Sequence, residues 1–236
     1  MGVKAHLASP LASIHHLDAI CQAACPDKLG GAISSRPSAE RRYGGKSAPE
    51  RRAERREQLL DAGLELFGTD GYAATTIEAL CARAGLNPRY FYEQFAGREQ
   101  LLGAVYERHV QQVLAVVSVA IEQAGPDPGA RLRAGLTAFV EATLADERGA
   151  RVNYFEMVGV SRELDALRRR VLSDYAGLIA SQAQDGVTGV EPRTAAVALV
   201  GATDGLIIDW LSGDRASSSR VIVDTLVAIF DPIIGG

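Results

Sequence analysis

The chain is expected to be all-α, with a three-helix head near the N-terminus and a larger helical domain behind it. Three observations carry this expectation. Ala, Leu, Val and Ile dominate the 47% of apolar residues, there are 236 residues in all, and only one is Trp. Apolar positions recur at three- and four-residue spacing, and alternating runs of the kind strands need are missing. Ser, Thr, Asn, Pro and Gly stand where helices start and stop. This length gives room for one domain or two.

Residues 1–46 mix Pro, Gly, Ser and Arg without periodicity and read as a disordered arm. Leu7 to Cys25 has a weak helical pattern, and translation starting further downstream is an alternative. His15, His16, Cys21 and Cys25 cluster there, but their spacing matches no zinc pattern, so no metal site is expected. Cys21, Cys25 and Cys81 make an odd count, which argues against a disulfide framework and for a reducing cytoplasm.

Order is expected from Ser47. Ser47 with Glu50 forms a capping box, and Pro49 fits the first turn. Leu59, Leu60, Gly63, Leu64 and Phe67 make one buried stripe, and Gly68 and Gly71 supply the stop and the turn. Thr75 or Thr76 caps a second helix, with Thr75 and Glu78 as a second capping box. Ile77, Leu80, Cys81 and Ala84 lie on its inner side, where Cys81 reads as a small apolar filler. Gly85 breaks this helix. Asn87 caps a third, with Pro88 at its first position. Phe91 and Phe95 face inward, leaving Arg89, Tyr90, Tyr92, Glu93 and Gln94 toward solvent. Two short helices hinged at a glycine, the second carrying arginine and tyrosines outward, have the layout of a helix-turn-helix. That motif places its second helix in the DNA major groove.

A fourth helix is expected from Gly97 to Gln123, ended by Gly125-Pro-Asp-Pro-Gly129. Further helices are expected near 129–145, 147–159, 162–185, 191–212 and 217–234. The head would occupy 47–110 and the second domain 111–236, the boundary falling within or just before the fourth helix.

Net charge is −4, but its distribution is uneven. Residues 36–110 hold 12 Lys and Arg against 11 Asp and Glu; residues 111–236 hold 11 against 16. The run Arg36 to Arg56 is the most basic, and local charge decides attraction to phosphate. Arg51, Arg52, Arg55 and Arg56 read either as an arm reaching DNA or as a solvated tail. The longest apolar run, Ala195 to Ala202, is too short for a membrane span.

From Ala195 to Leu211 the only charges are Asp204 and Asp209. Gly201 and Gly205, four apart, would let another helix approach closely. Ile222, Leu226, Ile229, Phe230 and Ile233 form a stripe that Val223, Val227 and Ile234 widen. Helices this apolar need cover on two sides. A second copy of the chain would give a homodimer through the last two helices; burial within one monomer is the alternative.

The string Leu64-Glu65-Leu66-Phe67, Gly71-Tyr72, Thr75-Thr76-Ile77, Ala84-Gly85-Leu86, Tyr90-Phe91-Tyr92, Phe95 and Arg98-Glu99 with Leu101-Leu102 resembles the DNA-binding domain of the TetR family of transcriptional regulators. The likeness covers about Arg51 to His109. It implies a double-stranded DNA operator as partner, with a phosphate contact from Tyr92 and another from Arg98, which stands where the family usually has Lys. Thr75 or Thr76 would donate to phosphate. Base reading would come from Arg89, bidentate to guanine, and then Tyr90, although Arg89 on phosphate alone is an equal reading. Asn87, Pro88 and Gln94 complete the expected DNA-binding set.

The implied function is a ligand-responsive repressor, acting in the cytoplasm on nucleoid DNA and released from a near-palindrome by an unknown small-molecule effector. Candidate effector contacts are His109, Phe139, Asn153, Tyr154, Met157, Tyr175 and Trp210, polar or aromatic residues in otherwise aliphatic helices. No cofactor is expected. The alternatives are an all-helical small-molecule enzyme, which lacks any credible nucleophile–base pair or phosphate loop here, and a partner-binding protein without specific DNA binding.

Overall fold

The computed structural model describes residues 47–180, 190–213 and 218–235, which form helices and turns with no strand among them. The expected helix over 7–25, the arm and the His15, His16, Cys21, Cys25 cluster lie outside these residues, as does the end of the helix expected to reach 185.

Helix α1, Ala48–Thr69, starts at the expected capping box. Ser47 Oγ accepts from the Glu50 amide at 3.3 Å, and Glu50 Oε2 accepts from the Ser47 amide at 2.6 Å. Helix α2, Ile77–Ala84, is capped by Thr76, whose hydroxyl accepts from the Ala79 amide at 3.1 Å. Thr75 is not the cap and forms no box with Glu78; its hydroxyl donates backward to the Gly71 carbonyl at 2.8 Å. Gly85 turns the chain at φ 66°, a left-handed conformation that costs a residue with a Cβ about 1 kcal/mol or more. Asn87 then caps α3, Pro88–Tyr92, accepting from the Arg89 amide at 3.0 Å.

Helix α4, Arg98–Gln123, runs the whole expected length. Helix α5, Pro128–Ala145, follows. One helix was expected over 147–159, but a short α6, Glu147–Arg151, opens into a π-helical turn at Val152–Glu156. The widened turn closes with the Met157 amide on the Val152 carbonyl at 3.1 Å, and it lets Val152, Tyr154 and Met157 all bury. Helices α7, Arg162–Ala180, α8, Pro192–Ser212, and α9, Ser219–Phe230, complete the described chain with a last π-helical turn at Asp231–Gly235. By length and composition α8 would suit a bilayer. Here it packs against α7 and α9.

One core joins the head to the base of the second helical layer. Leu59, Phe67, Leu80, Phe91, Leu101 and Tyr106 belong to it, together with Val152, Met157, Leu164 and Val171 from beyond α5. A second core lies among α5, α8 and α9, around Val140, Leu199, Leu226 and Phe230. Complete burial of a side chain such as Phe91 contributes about 1.5–3 kcal/mol.

Helix α6 is wedged between the two halves, and two glycines make room for it. A Cβ on Gly68 of α1 would lie 2.7 Å from the Arg148 Cα, and one on Gly149 would overlap the His109 ring of α4. Glu156 ties the same junction, accepting from the Tyr72 amide at 2.8 Å and from Arg151 Nε at 3.1 Å.

Two outcomes follow from this wedge. Gly68→Ala must push α6 away from α1, because the obstacle is backbone; Tm should fall by ~3–10 °C in thermal denaturation. His109 is 5% exposed, and burial pushes its imidazole below the usual histidine range against the opposing pull of Asp146. The folded state therefore disfavours the imidazolium. Below about pH 6.5 the unfolded chain takes up a proton more readily than the folded chain, so this contribution to stability is complete above that pH and lost as pH falls. His109→Leu should flatten this part of the acid limb when unfolding of the two proteins is compared across that range.

Candidate nucleic-acid interface and effector cavity

The outer tip of the head is built by α3. Phe91 and Phe95 are buried beneath it, which turns the other side of this single helical turn to solvent. The Arg89 side chain is 83% exposed. Tyr92 is 61% exposed and Tyr90 37%. Asn87, Pro88 and Thr76 are also exposed, and Gln94 is half-buried. The Arg55 guanidinium of α1 stacks over the Tyr90 ring at 4.5 Å, and Arg52 donates to the Glu93 carbonyl at 3.3 Å. Gln94 Nε2 donates back to the Arg52 carbonyl at 3.4 Å. The basic run on α1 is thus part of the same surface as α3, not a detached tail.

Sequence reasoning gave Glu93 no role, yet it organises this surface. Its carboxylate is 3.2 Å from Arg89 Nε and 4.0 Å from Arg55. Glu93 therefore pairs with one exposed arginine, Arg89, and lies near the half-buried Arg55, so an acceptor reaching Arg89 has to compete with it.

Two of the residues expected to contact DNA are engaged within the chain. Thr75 is 3% exposed, with its hydroxyl already donated to Gly71, so burial removes it from the surface and leaves Thr76 there. Arg98 is half-buried: its guanidinium donates to the Tyr72 carbonyl at 3.0 Å and to the Thr75 carbonyl, and lies 4.9 Å over the Tyr72 ring. It locks the loop between α1 and α2 onto the start of α4. The first turn of α4 itself has no side-chain cap, so its amides are not taken up by a capping side chain.

A cavity of about 370 Å³ opens among α4, α5, α7 and α8. Leu114, Val117, Leu136, Ile179 and Leu199 give it an aliphatic wall. Of the expected effector contacts, Phe139 and Tyr175 line it, packed edge to face at 6.0 Å. His109, Asn153, Tyr154, Met157 and Trp210 are not part of its lining. Met157 fills the head core, His109 abuts Gly149, Tyr154 packs with Ala150 and Ile207, and Trp210 packs on the second core. Arg131, Thr203 and Asp204 line the cavity and were missed. A solitary acid in an apolar helix was the available signal for Asp204. It pairs with Arg168 at 3.0 Å; burial raises its carboxyl above the usual range and Arg168 opposes this.

On the opposite side of α8, Val197 is 53% exposed, and Gly201 and Gly205 face open space. Val221 and Ile229 of α9 are equally exposed. Ile222, Leu226 and Phe230, by contrast, are buried within the chain.

The geometry agrees with known proteins. Residues 59–105 match the family model described as bacterial regulatory proteins, tetR family. The HTH-type transcriptional activator FasR of Mycolicibacterium smegmatis is 30% identical over 168 residues, covering 70% of this chain and 75% of the relative. Among solved structures, the fatty acid degradation regulator FadR from Bacillus halodurans superposes with a TM-score of 0.67 at 18% identity, over 74% of this chain and 93% of that one. FadR from Bacillus subtilis, in complex with stearoyl-CoA, does so with 0.66 at 17%, over 73% and 96%. A helix-turn-helix head on a helical body, with a relative of this extent, makes the chain a DNA-binding transcriptional regulator rather than an enzyme, and it belongs to the TetR family.

Proposed function

We propose that the chain acts in the cytoplasm as a homodimer on a near-palindromic operator, and that a small apolar effector controls its occupancy. Residues 47–110 bind DNA in this reading; residues 111–236 hold the effector and the partner. The observation that carries it is the tip of α3, where Arg89, Tyr90 and Tyr92 project from a turn anchored by Phe91 and Phe95.

Arg89 offers two donors to guanine O6 and N7 in the major groove. Tyr92, Thr76 and the uncapped amides of α4 suit phosphate, where partial positive charge and N–H groups converge. Arg98 serves the site by holding the α1–α2 loop rather than by reaching out. The partner would cover Val197, Gly201 and Gly205 of α8 with Val221 and Ile229 of α9, forming a four-helix interface about a twofold axis. Two α3 helices would then lie about 34 Å apart, one turn of the duplex.

The cavity's aliphatic wall suits an effector with an apolar body, and the stearoyl-CoA in complex with the Bacillus subtilis FadR has such a part in its acyl chain. An effector shifts occupancy only by binding one state better than the other. Repression is the simplest outcome, since operator occupancy blocks competing proteins without needing a further contact. FasR, named an activator, is the opposite case within the family.

Selection from randomised DNA should recover a two-half-site palindrome bound with a steep salt dependence; a salt-insensitive binder with no recovered site would refute the reading in favour of a partner-binding protein. Arg89→Ala should flatten preference at one position in each half-site by about 1–3 kcal/mol. Val197→Glu buries a charge at the twofold interface. It should convert the dimer to a monomer in light scattering while leaving the helical circular dichroism unchanged; a wild-type monomer at micromolar concentration would end the interface assignment.

A further inference from the structure

The polar end of the cavity is unfinished by the chain itself. Asp204 lines the cavity and its side chain is only 16% exposed, yet Arg168 gives it a single hydrogen bond, at 3.0 Å to Oδ2. A carboxylate offers about four lone-pair sites. Tyr154 approaches the same carboxylate from the core side, and its buried hydroxyl interacts with Asp204 without reaching full hydrogen-bond geometry. Arg168 Nε is buried without a partner as well. Tyr175 lines the same part of the cavity, interacting with the Asp204 charge, and its hydroxyl has no hydrogen-bond partner among the described residues. Of these groups Asp204 and Tyr175 line the cavity, where a bound molecule can complete them; a buried polar group left incomplete is costly.

We infer that this end of the cavity is a hydroxyl-binding site, and that the effector is an apolar molecule carrying an uncharged alcohol or phenol. The hydroxyl donates to the Asp204 carboxylate and accepts from the Tyr175 phenol, while its apolar body lies along Phe139, Leu136 and Leu199. The charge balance selects this chemistry. Arg168 already neutralises Asp204, so an ammonium group would bring an uncompensated positive charge into a buried site. A carboxylate would face the Asp204 carboxylate. An ether or a bare alkyl end cannot donate and would leave the acid unsatisfied. A neutral donor that also accepts fits both side chains.

The inference rests on reading this cavity as the effector site, and the test separates the two. Decanol and decyl methyl ether share an apolar chain and an oxygen, but only the alcohol donates. Titrated calorimetrically into the full chain, decanol should bind about tenfold more tightly than the ether. In the double variant Asp204→Leu with Arg168→Leu, which replaces the ion pair by apolar side chains and avoids an orphaned guanidinium, both should bind with the affinity of the ether. Tyr175→Phe keeps the ring against Phe139 and removes the donor to the ligand oxygen, so it should weaken alcohol and ether alike, keep the alcohol's advantage that Asp204 supplies, and leave binding of undecane, which has no oxygen, unchanged. This second variant decides the matter if the double variant does not fold. Equal binding of alcohol and ether to the wild type would overturn the hydroxyl site and leave the effector cavity standing; a bound water would then account for the polar end. Binding of neither would overturn both.

Discussion

Both halves of the molecule are built against one helix. The first turns of α4 bury Leu101, Leu102, Val105 and Tyr106 in the core that holds α1, α2 and α3 together. Its later turns put Leu114, Val117 and Ile121 into the wall of the cavity. At 26 residues α4 is about 39 Å long, enough to enter the core of the head at one end and the cavity wall at the other.

The polar contacts around that helix are few and specific. Arg98 fastens the α1–α2 loop from the α4 side, and Glu156 fastens it from the π-helical turn. Gly68 and Gly149 remove the side chains that would hold α6 off α1 and α4. These ties are half-buried, which makes each worth more than the exposed pair of Arg89 with Glu93, where solvent screens the charges. The distinction suits the two jobs. The ties that hold the α1–α2 loop are shielded; the pair at the tip is open to solvent.

The cavity presents a different balance. Its wall is aliphatic and aromatic, and such surface binds by area with little selectivity among apolar molecules. Asp204 and Tyr175 line it, with Arg168 and Tyr154 beside Asp204 on the core side. Buried polar groups discriminate strongly because a ligand lacking the matching group leaves them unpaired. The sides of α8 also divide the labour. Leu199, Thr203 and Asp204 meet the cavity, while Val197, Gly201 and Gly205 face away, so one helix borders both the cavity and the proposed partner surface.

The helices were legible because their signals are local. Ser47 with Glu50, Asn87 with Pro88, and Gly85 act within a few residues of themselves, and the stripe through Leu59, Leu60 and Phe67 needs only the helical repeat. The exposed tip of α3 was legible for the same reason: Phe91 and Phe95 point one way, so Arg89 and Tyr92 point the other. The choice between Thr75 and Thr76 was not local, since it turned on the Gly71 carbonyl accepting the Thr75 hydroxyl across a turn. Arg98 was recognisable as basic but not as already engaged, because its acceptors lie 26 and 23 residues away. The break of α6 into a π-helical turn served burial against distant helices. Of seven residues expected around the effector only Phe139 and Tyr175 line the cavity, because a void is made by four helices together and no single helix records which of its buried residues will border it. The amino-acid order by itself determined where this protein is helical and which side of each helix turns inward; the assembled helices alone decided which polar groups are spent on holding the fold and which are left for a ligand.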